Sequence, residues 1–339
     1  MKEAYLPCEY DQIKSILEEN DLVLDKDIDK TFYIDAEAYK NGEYINEIIG
    51  TVSIYKNIIK DIAVRKSYMN LGYFDTLISE VVNYLYQNNV YHIMVYTKVK
   101  YANHFKSAGF KEITRTDTSI LLEYGTPLID EVVNKYKEAL ERKFNINVQN
   151  EDIASVVVNA NPITNGHMYL IEKAAINHKY VIVFVVEEDL SYLSFKERMS
   201  LVYLSCMHLH NVAVVSSTEY VVSCATFPGY FLKDESDKQK EWAKVDSQIF
   251  RDYFMKTLNI KKRYVGSESK GYMQMYNQTL LEVINNENTK LEIVERYEEI
   301  SASKIRNLIE EGKIDDALKD IPNSAKALFL GIIQNKNKS

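Results

Sequence analysis

The stretch IASVVVNANPITNGH, residues 153–167, decides how the C-terminal part of this chain folds. It opens with a mostly β-branched apolar run, which predicts a buried strand. Apolar residues then recur at helical spacing from Leu170 to Ala175, and a second apolar run covers Tyr180 to Val186. The pattern predicts a β-loop-α-β unit whose loop ends in Gly-His at the start of the helix.

The start of this helix has the features of a phosphate-binding site. A helix N-terminus presents free backbone N–H groups and a partial positive charge, and both attract phosphate. Gly166 has no Cβ to hinder a ligand that approaches the backbone. His167 can donate a hydrogen bond to a phosphoryl oxygen whose charge grows in a transition state. The competing interpretation is a helix that merely begins with a histidine and is capped by Thr164 or Asn165.

A second motif, ISASKIR at residues 300–306, precedes another helical stretch. Ser301 and Ser303 are natural N-cap residues, and their hydroxyls and the nearby N–H groups can hold the β- and γ-phosphates of a nucleotide. Arg306 falls about one turn into the helix, where its planar fork can reach a phosphate. Taken alone, the same residues also fit a capped surface helix with a solvated arginine.

Composition and charge limit the possible functions. The 339 residues suffice for two domains, and 46% hydrophobic and 27% charged residues are typical of a globular protein. The net charge of −8 argues against a nucleic-acid binder. Neither an apolar run long enough to cross a membrane nor the apolar core of a signal peptide is apparent. We therefore expect a cytoplasmic protein whose partners include neither nucleic acid nor membrane.

Cysteine usage agrees with a reducing compartment. Cys8, Cys206 and Cys224 are scattered and odd in number, which does not fit a disulfide framework. They also lack metal-ligand spacing, and the pair His208 and His210 follows a helical run. No metal site is predicted.

A domain boundary is predicted near Gly125-Thr126-Pro127. We expect an N-terminal domain over residues 1–125, a connecting helix over 126–144 and a C-terminal domain over 145–339. The N-terminal domain is predicted to be mixed α/β, with strands at 48–54, 58–64, 90–97 and 120–124 and helices at 74–86 and 101–107.

Three further segments bear on the C-terminal domain. Ser194 and Glu197 form a capping box at a helix start, which is a structural role, whereas Lys196 and Arg198 beside them can face a triphosphate. RYVGSE, residues 263–268, is predicted to be a strand that runs into a loop at the carboxyl edge of the sheet, where open α/β sheets bind ligands. The stretch from Tyr220 to Arg251 contains aromatic residues and lysines that can line an acid-binding pocket or form a surface excursion. Repeated strand–helix alternation predicts a parallel sheet with right-handed crossovers.

The two motifs together resemble the T/HxGH and ISSTxxR signatures of the adenylyl-transferring nucleotidyltransferase superfamily. The resemblance implies a Rossmann-like, doubly wound parallel sheet in which His167 contacts the α-phosphate of ATP, with Thr164 where histidine is common. It further implies that Ser301, Ser303 and Arg306 hold the leaving phosphates. The remaining nucleotide-site residues that it implies are Asn159, Asn161, Pro162, Gly166, Arg198, Gly266, Ser267 and Glu268.

The N-terminal domain resembles a GNAT-type acetyltransferase. ANHFKSAGF, residues 102–110, is similar to that family's N…F…GF segment, and IAVR, residues 62–65, to the end of its central strand. The family's glycine-rich phosphate loop should follow, but MNLGYF, residues 69–74, has one glycine and a tyrosine where a small residue is expected. Acyl transfer, recognition of a carrier without catalysis, and a plain α/β domain without a ligand all remain open.

The order of all these segments resembles the citrate (pro-3S)-lyase ligase family, also called citrate lyase synthetases. The resemblance implies that acetate attacks the α-phosphate of ATP to give acetyl-adenylate, with Mg²⁺ held mainly by the phosphates. The acetyl group then passes to the thiol of a phosphoribosyl-dephospho-CoA arm on the acyl carrier subunit of citrate lyase, which activates the lyase.

Two alternatives come from other classes of protein. One is an adenylyltransferase of phosphopantetheine or a mononucleotide, which would leave an adenylylated product instead of AMP. The other is a catalytically silent module that docks a carrier protein. AMP formation with and without a thiol carrier separates all three.

Overall fold

The computed structural model describes residues 1–40, 42–187, 192–221, 235–268, 271–297 and 300–336. Residues 222–234 of the predicted aromatic and lysine-rich excursion lie outside these ranges, and they include Cys224 and the stretch 225–233. The chain divides into two compact units. The first contains Met1–Glu131 and the Ala225–Val245 stretch, and the second contains Val132–Cys224 and Asp246–Ser339.

The first unit is built on a seven-stranded mixed sheet. Its strands are β1 (Lys2–Glu3), β2 (Lys30–Lys40), β3 (Glu43–Tyr55), β4 (Ile58–Val64), β5 (His92–Lys98), β6 (Lys111–Arg115) and β7 (Ser119–Gly125), and its helices include α1 (Pro7–Glu19), α2 (Tyr73–Gln87) and α3 (Ala102–Ser107). The strand order is β1-β2-β3-β4-β5-β7-β6. All neighbours are antiparallel except β4 and β5, which are parallel and pair at Ile58–Met94 and Ile59–Val95.

The predicted α/β character of this unit is confirmed, and its core follows the helical periodicity. Leu77, Ile78 and Val81 on α2 are fully buried in one cluster with Ile49 and Val95 of the sheet. Burying such side chains contributes roughly 1.5–3 kcal/mol each, which fixes α2 on the sheet. Helix α1 and strand β2 lie before Ile48, where no element is predicted.

Residues from the middle of the sequence complete the first unit. Glu241 lies on α7 (Glu235–Ile249), is 9% exposed and accepts hydrogen bonds from the hydroxyls of Thr116, Thr118 and Ser119, the last at 2.8 Å. This grouping differs from the predicted continuous division, which places the stretch in the domain 145–339. Ser119 and Glu241 are 122 positions apart, and no local pattern reports such a pairing.

The second unit has a five-stranded parallel sheet. Its strands are β8 (Ile153–Val158), β9 (Tyr180–Val185), β10 (Val212–Ser216), β11 (Ile260–Gly266) and β12 (Lys290–Val294). Its helices are α4 (Ile129–Phe144, which begins in the first unit), α5 (Asn165–Asn177), α6 (Phe195–Cys206), α8 (Tyr272–Ile284), α9 (Ala302–Glu310), α10 (Ile314–Lys319) and α11 (Lys326–Lys336), with a π-helical turn at Phe250–Met255. The order β10-β9-β8-β11-β12 confirms the predicted doubly wound arrangement.

Strand β8 lies where the strand order reverses. On one side it pairs with β9, the next strand in sequence. On the other side it pairs with β11, which the chain reaches only after the edge strand β10. The connection after β8 leads to β9 and the connection after β11 leads to β12, in opposite directions along the sheet. A crevice therefore opens between the carboxyl ends of β8 and β11. The stretch IASVVVNANPITNGH, which runs from β8 into α5, therefore delivers its last residues to the place where such sheets bind ligands. Within the described ranges, no helix is long and apolar enough to cross a membrane.

Candidate functional site

A cavity of about 600 Å³ opens in the second unit at the carboxyl ends of β8, β11 and β12. Both sequence motifs contribute to its wall, through His167 from the first and Ser301 from the second. Other residues that line it are Asn159, Thr164, Gly166, Gly266, Glu268, Tyr276, Arg296 and Ser303. The structure thus brings together the starts of α5 and α9, each with backbone N–H groups that have no partner within the helix.

Thr164 and His167 cap α5 reciprocally. The Thr164 hydroxyl accepts the backbone N–H of His167 at 3.2 Å, and the backbone N–H of Thr164 donates to Nδ1 of His167 at 3.1 Å. Because Nδ1 accepts that hydrogen bond, the proton of the neutral ring lies on Nε2. A helix cap is the competing interpretation of these residues. The same cap also sets the tautomer that makes His167 a hydrogen-bond donor.

The protein keeps this imidazole neutral. Burial, with a smaller contribution from the positive charge of Arg296, lowers the pKa of His167 from 6.5 to about 4. A neutral ring that donates through Nε2 can stabilise a growing negative charge without itself transferring a proton.

This pKa predicts a ring that does not titrate near neutral pH. Because the folded-state value is lowered, we expect the His167 signal to stay neutral from pH 8 down to about 5 and to shift only as the pH approaches 4. Between pH 6.5 and about 4 the unfolded chain binds a proton at this histidine and the folded chain does not. The free energy of unfolding therefore decreases as the pH falls through this interval. NMR of histidine-labelled protein, with His167→Gln to assign the signal among the six histidines, measures the titration. A midpoint above 6 would contradict the burial argument.

Gly166 leaves space at the start of α5. A Cβ built on it lies 3.5 Å from the Thr164 hydroxyl oxygen and 3.9 Å from the carbonyl oxygen of Ile300, both ordinary contacts. The fold does not need glycine here, but the added methyl group would project between the two motifs.

Gly166→Ala should therefore weaken ATP binding without lowering the stability of the fold. We expect an unchanged or slightly raised melting temperature, since alanine favours a helix by up to about 1 kcal/mol over glycine. We also expect a KM for ATP that rises about tenfold, because the methyl group takes up space at the helix start. Gly331→Ala, with open space around its Cβ on α11, is the matched control. A lower melting temperature with unchanged KM would show that the glycine is structural.

Arg306 ties the second motif to the first. Its Nη1 donates to the carbonyl oxygen of Asn161 at 2.6 Å, and its Nη2 donates to the Ser303 hydroxyl at 3.0 Å. Ser301 is the N-cap of α9 and accepts the backbone N–H of Lys304 at 3.2 Å. Ser301 and Ser303 line the cavity, whereas Arg306 stands behind them.

The loop between β8 and α5 is held from behind. Asn159 lines the cavity, Ala160 adopts a φ of +52° and Asn161 is buried, with its Oδ1 accepting the backbone N–H of Leu193 at 2.9 Å. Pro162 is also buried and does not line the cavity. Of these loop residues, Asn159 can touch a ligand directly, and Asn161 and Pro162 shape the backbone.

Arg198 lies inside the protein. It is fully buried, and its guanidinium donates to the carbonyl oxygens of Leu193 (3.2 Å), Asn159 (2.9 Å) and Val186 (2.6 Å). It is not among the cavity-lining residues of the described chain. In this structure Arg198 joins the ends of β8 and β9 to the start of α6 instead of facing the cavity. The Ser194–Glu197 capping box at that helix start is present.

The loop after β11 contributes unevenly. Gly266 and Glu268 line the cavity, but the N–H of Ser267 donates to the carbonyl oxygen of Val294 at 2.7 Å, and its hydroxyl accepts the N–H of Arg296 at 3.3 Å. Glu268 pairs with Arg296, a cavity residue that the sequence motifs do not reveal. Asn277 donates to the carbonyl oxygen of Gly266 at 2.9 Å and so fixes the end of the strand.

Metal-binding side chains are not clustered in the part of the chain that the structure describes. No three His, Cys, Asp or Glu side chains there lie close enough together to hold an ion. Burial raises the pKa of the Cys206 thiol to about 12, which keeps it protonated.

Known proteins share sequence with this chain over most of its length. A family model described as the citrate lyase ligase C-terminal domain matches residues 153–329. The citrate (pro-3S)-lyase ligase of Escherichia coli (strain K12) is 31% identical over 335 residues, covering 96% of this chain and 90% of that protein. This chain belongs to the citrate lyase ligase family. The corresponding ligase of Haemophilus influenzae is 32% identical over 76% of this chain and 72% of its own length. Membership of the citrate lyase ligase family makes the chain an enzyme of the ligase class.

Solved structures resemble each unit only weakly. TmcAL from Thermotoga maritima, bound with α-thio ATP, is 14% identical with a TM-score of 0.35, covering 54% of this chain and 56% of that one. The ribosomal-protein-S18-alanine N-acetyltransferase from Escherichia coli is 13% identical with a TM-score of 0.26, covering 37% of this chain and 92% of that one. Similarities this weak say nothing about activity.

Proposed function

We propose that this ligase activates citrate lyase by acetylating the thiol of the phosphoribosyl-dephospho-CoA arm on its acyl carrier subunit, at the expense of ATP. The observation that carries the proposal is the neutral His167, whose Nε2–H donor stands at the start of α5 beside the start of α9 in one cavity. The two helix N-termini attract phosphate groups, and the neutral imidazole can donate a hydrogen bond without transferring its proton. Both features suit a triphosphate that reacts at its α-phosphorus.

In the first step, one carboxylate oxygen of acetate attacks the α-phosphorus of ATP. The bond from that phosphorus to the oxygen that bridges to the β-phosphorus breaks, and pyrophosphate leaves. Negative charge grows on the α-phosphoryl oxygens and on the pyrophosphate, so the enzyme needs positioning and positive electrostatics rather than a covalent nucleophile. His167 and the α5 start serve the α-phosphate, and Ser301, Ser303 and the α9 start serve the leaving pyrophosphate. Arg306 holds the two motifs together.

In the second step, the thiol sulfur of the carrier arm attacks the acetyl carbon of acetyl-adenylate. The bond from that carbon to the AMP oxygen breaks, the thiol proton passes to the solvent, and AMP leaves. This step is supported by family membership.

Magnesium accompanies ATP in this proposal. The described residues offer no cluster of carboxylates for the ion, and Glu268, which lines the cavity, is already paired with Arg296. The described residues therefore do not form a dedicated Mg²⁺ cage, and the ion would travel with the phosphates and water.

The proposal is tested by product formation from ATP and acetate, with and without the thiol form of citrate lyase. We expect AMP only when acetate and the lyase are both present, together with recovery of citrate cleavage. Acetate-dependent exchange of labelled pyrophosphate into ATP should occur without the lyase, because it needs the first step alone. Pyrophosphate release with phosphopantetheine or a mononucleotide, and none with acetate, would make the chain an adenylyltransferase of another substrate.

A further inference from the structure

Arg263 is a buried cation with hydrogen-bonding capacity to spare. Its side chain on β11 is 1% exposed and lines the cavity, and its guanidinium carbon lies 4.2 Å from the centre of the Phe250 ring. Nη2 donates to the hydroxyl of Tyr276 at 3.1 Å, and that hydroxyl donates to Asp246 at 2.5 Å. Among the described residues, Nε and Nη1 have no hydrogen-bond partner. Unsatisfied N–H groups on a buried guanidinium are costly, so a ligand is the natural partner.

The sheet register places Arg263 in a lobe of the cavity that Val157 and Val265 also line. Arg263 pairs with Ser155 of β8, whose buried hydroxyl also lacks a partner within the described chain. Tyr264, the next residue on β11, belongs to the core on the opposite face of the sheet. Alternation along the strands therefore puts Arg263 on the same face as Val157 and Val265, which both line the cavity.

This lobe lies apart from the groups suited to phosphate. Ser155 precedes the last residue of β8, Val158, by three positions, so the backbone of Arg263 is about 10 Å below the carboxyl edge of the strand. The helix starts and His167 stand at that edge. A planar guanidinium beside Val157 and Val265 matches a carboxylate with a short aliphatic tail better than it matches a polyphosphate.

We propose that Arg263 binds the carboxylate of the acid substrate in this lobe. The inference rests on the proposed function, because it places the acid that attacks the α-phosphorus. Arg263 holds one carboxylate oxygen and leaves the other to face the edge where His167 lies. Tyr276 and Asp246 orient the guanidinium from behind, and Val157 and Val265 bound the space for the aliphatic tail.

The test is acetate-dependent ATP–pyrophosphate exchange by Arg263→Gln in the full chain. We expect the KM for acetate to rise about 10- to 100-fold, because a charge-assisted pair is lost, while the dissociation constant for ATP stays unchanged. Arg142→Gln, an exposed arginine on α4, is the matched control. An unchanged KM for acetate, or equal weakening of acetate and ATP, would overturn the assignment.

A binding measurement separates this site from the proposed function. Saturation-transfer NMR on the wild-type chain without ATP should detect acetate but not the neutral isostere acetamide, and Arg263→Gln should abolish the acetate signal. Acetate binding that depends on Arg263, in a chain that shows no exchange, would keep the site and refute the acetate ligase. Exchange with an unaltered acetate KM in the variant would keep the ligase and refute the site.

Tyr276→Phe provides a second variant if Arg263→Gln fails to fold. It keeps the buried ring but removes the hydroxyl that orients Arg263, so we expect a higher KM for acetate and unchanged ATP binding. A folded Tyr276→Phe protein with the wild-type KM for acetate would equally overturn the assignment.

Discussion

Replacing His167 with alanine should lower the rate of acetate-dependent ATP–pyrophosphate exchange by about 10²–10³-fold, the usual effect of removing one donor to a developing oxyanion. The neutral ring can donate through Nε2 because Nδ1 already accepts the backbone N–H of Thr164. The donor gains most where charge grows, so the dissociation constant for ATP should change far less than the rate.

The control for this substitution is His210→Ala, which changes an exposed histidine of the same unit. Loss of the reciprocal cap should destabilise the His167 variant by about 1 kcal/mol, which leaves it folded. Circular dichroism and ATP binding verify this point. A folded His167→Ala protein that exchanges pyrophosphate at a rate near that of His210→Ala would remove His167 from the catalytic step.

Replacing Arg306 with alanine should lower kcat/KM for ATP by about 10²–10⁴-fold. Two hydrogen bonds from a charged group are lost, each worth roughly 1.5–3 kcal/mol, and 1.4 kcal/mol corresponds to a factor of ten. The bonds run to the Asn161 carbonyl and the Ser303 hydroxyl, so the substitution releases the second motif from the first. Steady-state kinetics with varied ATP measure the effect.

Lys304→Ala is the matched control, because this exposed lysine lies on the same helix two positions earlier. It removes one positive charge near the motif without breaking the link between the two signatures. Similar losses in the two variants would mean that Arg306 acts through general charge alone. Partial recovery in Arg306→Lys would indicate that charge contributes alongside the planar fork.

Much of the fold could be predicted because local periodicity determines it. The strand Ile153–Val158 has the predicted bounds, and the predicted helix after residue 301 is found at Ala302–Glu310. The family resemblance and the ligase class are confirmed by the comparisons. The roles of the individual site residues remain predictions, although His167, Gly166, Ser301 and Ser303 do share one cavity.

What the sequence could not reveal depends on contacts between distant positions. The capping box fixes where α6 starts but not that Arg198 turns inward to three backbone carbonyls. Arg263 follows two lysines in β11, so its local sequence does not mark it as buried, and its partner Tyr276 comes from α8. Arg296 follows β12 without any motif, and its place in the cavity depends on the pairing of β12 with β11.

Glu241 has a consequence for synthesis on the ribosome. The hydroxyls of Thr116, Thr118 and Ser119 emerge long before the carboxylate that they bind, and most of the second unit's sheet is translated in between. Domains commonly fold in the order in which they are made. Here the unit that starts first cannot complete its buried network until α7 has left the exit tunnel. A nascent chain arrested before residue 241 would hold three hydroxyls that still await this carboxylate acceptor.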